Sequence, residues 1–145
     1  MKLKKIIGTL TLLIFLVSCK KHTNSNNLIP NISFEITINT NLPSYAELNG
    51  VGGWAYINGV GVSGVIVYRK ELNSFVAFDR RSPKDINGDC PQPLVSDTNN
   101  FLQLIDSCNN AIFSLYDGSP ISNSEYGLRQ YQTIWDGSNQ LRIFN

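Results

Sequence analysis

A chain of 145 residues with a formal net charge of +1 and 16% charged residues has enough length for one domain with a single core. The charged fraction lies well under the roughly 25% of an average soluble protein. No basic stripe runs along the body of the chain, so nothing points to a nucleic-acid partner.

In chain order, Lys2, Lys4 and Lys5 precede the apolar run IIGTLTLLIFLV, which is too short for a permanent span and has the layout of a cleavable export signal. The run ends in Leu16-Val17-Ser18-Cys19, which resembles the lipobox of bacterial lipoproteins. That resemblance implies a signal peptide over 1–18, with Cys19 acylated as the first mature residue and a lipid bilayer as the partner at that end. Several acyl chains anchor stably where a single one is marginal. Lys20 and Lys21 follow without an acidic residue, which by the same resemblance places the anchor in the bacterial cell envelope, at the outer membrane. Loss of the three lysines leaves 9 basic and 11 acidic residues. Residues 19–31 are polar and Asn-rich without periodicity, and are expected to form a flexible tether. His22, the single histidine, lies there.

Residues 32–145 read as the domain. ISFEITINT sets Ile32, Phe34, Ile36 and Ile38 on one face, as in a half-buried strand. GVGGWAYINGVGVSG carries six glycines, follows no phosphate-loop pattern and precedes no helix, so turns and bulges are expected there. Residues 65–69 and 74–79 form a predicted hairpin around Glu71-Leu72-Asn73. Residues 80–100 hold three prolines and many turn residues, and read as an excursion or small subdomain. FLQLI and AIFSLY predict a second hairpin around residues 106–110. GLRQYQTIW and QLRIFN predict a third around Asp136-Gly137, with a two-residue turn. No long stretch has helical spacing. The sum is an all-β domain of eight to ten short strands, a small sandwich or barrel.

Cys90 and Cys108 remain once Cys19 is set aside. In an exported chain an even pair is most simply a disulfide, worth roughly 3 kcal/mol by the chain-entropy estimate. A reactive thiol, the rival reading, needs a neighbouring base or helix terminus, and the sequence shows neither.

The order VAFDRRSPKD, a loop ending in Cys90, LQLIDSCNNAIFSLYDGSPI and GLRQYQTIWDG resembles Rieske iron-sulfur domains over residues 50–145. That family places C-x-H in one loop and C-P-C-H-G-S-x-F-D in a second. Laid on this pattern, Ser82 and Lys84 stand at the first pair of ligands, Asp106 and Asn109 at the second pair, and Phe113 at the aromatic that follows. Cys108 stands at the middle cysteine of C-P-C-H and Cys90 at the first loop's non-ligand cysteine, a pair that the family joins as a disulfide. The resemblance thus implies a Rieske-like multi-sheet β sandwich or barrel with a small two-loop subdomain, its degenerate loops spanning residues 79–118. A [2Fe-2S] cluster of this type needs two thiolates and two imidazoles. The domain has no histidine, so no cofactor is expected. An unconventional ligand set would make the chain an electron-transfer protein instead.

Asp79, Arg80, Arg81, Lys84, Asp85 and Asp89 form a mixed cluster that reads as a solvated loop held by local ion pairs. Arg80, Arg81, Lys84, Asp106 and Asn109 edge the two loops and are the candidate partner surface. Ser114 and Ser119 have no histidine for a triad, so no catalytic constellation is visible. Asp85-Ile86-Asn87-Gly88-Asp89 lacks the downstream glutamate of a calcium loop. Tyr45, Trp54, Tyr56, Tyr126, Tyr131 and Trp135 are expected mainly in the core and as strand cover, with a glycan-binding face as the functional alternative. The expected function is a membrane-anchored envelope lipoprotein that has lost its cluster, in a binding or structural role with an envelope protein or a glycan as partner.

Overall fold

The structure, a computed structural model, describes residues 28–85 and 87–145. The signal segment, Cys19, His22 and Ile86 lie outside the described residues. Among the described residues ten strands form two antiparallel sheets: β1 Glu35–Asn39, β2 Trp54–Ile57, β3 Val65–Glu71, β4 Ser74–Asp79, β5 Val95–Ser96, β6 Gln103–Ile105, β7 Ile112–Ser114, β8 Pro120–Ser122, β9 Gln130–Trp135 and β10 Gln140–Phe144. The larger sheet has the order β1-β10-β9-β4-β3-β2 and the smaller one β5-β6-β7-β8. The smaller sheet is inserted between β4 and β9, where the excursion at 80–100 was expected to lead. The described chain is all-β apart from one short 3-10 helix, Pro43–Asn49. Among the described residues no helix is long and apolar enough to cross a membrane.

The strand patterns explain the layering. In β1 the side chains of Ile36 and Ile38 turn inward with Phe34 just before them, while Ile32 stays exposed ahead of the strand. The runs VIVY of β3 and FVAF of β4 are buried on both faces, as central strands covered from two sides should be. Val65, Val67, Phe75 and Ala77 face a core completed by Ile38, Leu48, Tyr131, Leu141 and Ile143. Ile66, Tyr68, Val76 and Phe78 face a second core shared with Leu94, Leu104, Phe113 and Leu115 of the inserted region. The β3–β4 hairpin therefore holds the small sheet to the large one.

Gly118 sits where this junction is tightest. Its φ is +74°, and a Cβ there would come 2.6 Å from the Phe78 ring, so only glycine lets the turn after β7 lie on that side chain.

Three details differ from expectation. The 3-10 helix has no periodic signature; Pro43 starts it, Leu48 plugs the first core, and Arg69 donates to the Leu48 and Asn49 carbonyls at its end, at 3.0 and 2.9 Å. The β9–β10 turn is longer than two residues. Its Asp136 N–H donates to the Gln140 carbonyl at 3.1 Å while the Asp136 carboxylate accepts from Ser138 and Gln140, and Gly137 takes the left-handed φ of +84°. Ordered contacts also begin before residue 32. Ile29 is buried, and Arg129 donates to its carbonyl at 2.9 Å, so the end of the expected tether packs on the domain.

Candidate functional site at the two-loop tip

The first loop leaves β4 at Asp79 and returns at Leu94. Its neck is closed by the Leu94 N–H donating to the Arg80 carbonyl at 2.7 Å and by Arg80 Nε donating to the Leu94 carbonyl at 2.9 Å. The second loop is the β6–β7 turn, where Asp106 N–H meets the Ala111 carbonyl and Asn110 adopts a left-handed φ of +53°, a conformation that Asn tolerates well. Cys90 and Cys108 join the loops with their Cα atoms 6.1 Å apart and their sulfurs at bonding distance.

Under this staple lies Asp106, whose side chain is shut off from solvent. Its carboxylate accepts from the backbone N–H groups of Cys108 and Asn109, at 2.9 and 3.1 Å, and from Asn109 Nδ2 at 3.0 Å. Burial alone would raise its pKa, but the hydrogen bonds from Ser82, Asn109 and Cys108 outweigh it and hold the carboxyl below its ordinary value. Ser82, also buried, accepts from the Lys84 N–H at 3.3 Å. The four positions picked out by the resemblance thus converge from two loops separated in the chain by β5 and β6.

They do not fit an iron-sulfur cluster. Asp106 is occupied by donors from its own turn and from Ser82, the Asn109 amide donates into it, and Lys84 would set a cation beside ferric iron. The Cys90, Cys108 and Asp106 ligand atoms do lie within 4.8 Å of one another, yet the two sulfurs are committed to each other.

The candidate partner surface divides in two. Arg80 and Asp106 are buried, which removes them from it. The Arg80 guanidinium lies 3.7 Å from the Tyr56 ring centroid, and burial pushes its pKa down. Arg81 pairs with Asp85 at 3.0 Å, as expected for a local ion pair. Lys84 and Asn109 remain exposed. Both border a hollow of about 280 Å³ that opens on the cysteine pair, and Lys84 also borders a cleft of about 520 Å³ with Tyr126 on its wall.

Asp79 does not belong to a solvated loop. It is completely buried and accepts from the Val62 and Arg81 N–H groups, at 2.6 and 2.7 Å, and from the Tyr131 hydroxyl at 2.6 Å. Glycine at 61 makes this approach feasible, because a Cβ there would come 2.6 Å from Asp79 Oδ2. The aromatics sort similarly. Tyr131 and Tyr45 serve the first core, and Trp135 covers Phe75 beneath Arg69. Trp54 and Tyr56 pack on the second core, Trp54 also borders an open hollow, and Tyr126 lines another.

An inserted four-stranded sheet with two loops tied at one end defines a two-sheet β protein with a stapled polar tip. No family model matches the chain, and no curated protein does. Among solved structures there is a likeness to a protein assigned as an NADH-dependent nitrite reductase small subunit from Mycobacterium tuberculosis, at 15% identity, covering 79% of this chain and 97% of that one with a TM-score of 0.43. At that level of likeness nothing about activity passes from one chain to the other.

Proposed function

We propose that this chain is a lipid-anchored protein of the bacterial cell envelope whose Rieske-like domain has exchanged its cluster for a hydrogen-bonded tip, and that the tip binds a partner protein. The observation that carries this reading is Asp106. At a position where the resemblance calls for a thiolate ligand, a buried carboxylate is satisfied by its own loop and by Ser82, so hydrogen bonds and the cysteine pair hold the two loops together. A tip so held, with an exposed cation at Lys84, an exposed amide at Asn109 and adjoining hollows, suits protein recognition. Arg80 and Asp106 act as supports from beneath. The lipobox at Leu16-Val17-Ser18-Cys19 supplies the anchor in this reading.

The test is iron content and visible absorbance of the mature chain purified without oxygen. A colourless, iron-free protein is expected. About two iron atoms per chain with a thiolate-to-iron band would instead establish the electron-transfer alternative. The anchor is tested separately by incorporation of a labelled fatty acid, which Cys19→Ser should abolish.

A further inference from the structure

A second surface, away from the tip residues, carries a chemistry of its own. Beside β2, the last strand in the large sheet, lies a groove of about 470 Å³ between the 3-10 helix and the exposed Phe101. We propose that this groove is a saccharide-binding site in which Trp54 supplies the stacking face, and that it takes a neutral or amino-bearing sugar and rejects an acidic one.

Trp54 and Tyr56 are two residues apart on one strand, so both rings project to the same face. Their centroids lie 4.8 Å apart with planes at 53°, which gives the groove two aromatic surfaces set at an angle. Tyr56 is locked in place. Its hydroxyl accepts from the Ser96 N–H at 2.8 Å, and the Arg80 guanidinium covers its ring. Trp54 packs against the second core, has no such hydrogen bond and stays partly open to solvent on the groove side. A fixed aromatic wall beside an accessible one is a preorganised platform for the C–H face of a pyranose ring.

The polar groups favour the same ligand. Glu47 and Ser44 line the groove from the helix, both are exposed, and among the described residues their side chains have no hydrogen-bond or ion-pair partner, which leaves the carboxylate and the hydroxyl available to ligand hydroxyls. Among the described residues no Lys or Arg lines the groove and Glu47 is its one ionic group, the Arg80 guanidinium that covers Tyr56 being buried. An ammonium on the sugar would therefore be attracted and a carboxylate repelled. Gly53 lets the chain before β2 lie against the helix, and Gly52 leaves its own side of the groove open. A side chain at Gly53 would overlap the Glu47 carbonyl, and Gly52 holds a φ of +89° with empty space where its Cβ would be. The volume lies in the range of small-ligand sites.

The full mature chain carrying Trp135→Phe leaves Trp54 as the one tryptophan, so its emission reports on the groove directly. Titration with cellotetraose and with the tetramer of glucosamine should change that emission saturably, and tetragalacturonate should leave it unchanged. Glu47→Gln should remove the preference for the glucosamine tetramer over cellotetraose. Phe101→Ala, at a position 62% exposed and thus harmless to the fold, should weaken binding by about tenfold, as loss of one contacting ring does. Unchanged emission with both expected sugars would overturn the proposal, as would full retention of binding in Phe101→Ala and Glu47→Gln together. An emission change with an alternating Lys-Val hexapeptide but with no sugar would also overturn it, in favour of strand addition along β2. None of these results depends on whether the tip binds a protein or holds iron.

Discussion

The Asp79 carboxylate accepts the Tyr131 hydroxyl at 2.6 Å in the interior of the domain, across 52 residues of sequence. That bond ties the end of β4 to β9, the two strands between which the small sheet is inserted. Replacing Asp79 by Ala strands the Val62, Ser63 and Arg81 N–H groups as well as the hydroxyl. A loss of about 3–5 kcal/mol is expected in urea unfolding. Tyr131→Phe removes a single donor and should cost about 1–2 kcal/mol. The reverse ranking would mean that packing of the ring, and not the carboxylate, holds the junction.

The same pair sets an alkaline limit. Burial first, and then the neighbouring Asp79 carboxylate, raise the Tyr131 pKa above its ordinary value of about 10. A raised pKa stabilises the fold fully below the unfolded value and is lost as pH climbs toward the folded one. Melting temperature should therefore fall more steeply above pH about 10 in the parent chain than in Tyr131→Phe.

At the tip the sign is opposite. Asp106 has a depressed pKa because its hydrogen bonds outweigh its burial, so its contribution is present above the unfolded value of about 3.9 and vanishes as pH falls through the folded one. Acid melts should show a loss below pH about 4 that Asp106→Asn lacks. At neutral pH Asp106→Asn should lower stability, because an amide cannot accept from all the donors that surround the carboxylate.

Cys90 and Cys108 should both resist alkylation in the native protein purified under oxidising conditions and label only after reduction, as read by intact mass. Replacing both by Ala should cost roughly 3 kcal/mol, by the loop-closure estimate for a short bridge. Labelling without reductant would show that the sulfurs are not bonded in the native protein.

Gly118→Ala should destabilise by about 2–4 kcal/mol, combining a strained left-handed φ with a clash against Phe78. Phe78→Leu alone should also destabilise, but the double variant should lose less than the sum. Strict additivity would show that the two residues do not press on each other.

Much of the fold was legible because its signals are local. Alternation at Phe34, Ile36 and Ile38, the doubly buried runs of β3 and β4, and the Pro- and Gly-rich breaks each reveal a strand or a turn within a few residues. The Cys90–Cys108 pair was legible for a different reason: once Cys19 is set aside the two are an even pair, and the expected export signal made a disulfide the simplest reading of it.

What tertiary structure alone decided was the fate of the charged and aromatic side chains. Asp79, Arg80 and Asp106 look like surface residues in a polar loop, but each is buried because partners from distant strands and turns satisfy it. The 3-10 helix forms because Leu48 finds a core and Arg69 caps its carbonyls, neither of which the heptapeptide itself encodes. Trp54 and Trp135 are chemically alike and each packs on a core, yet Trp135 lies on Phe75 and the first core while Trp54, on the second core, also borders an open groove. Burial is a property of what surrounds a residue, and for these residues the surroundings come from elsewhere in the chain.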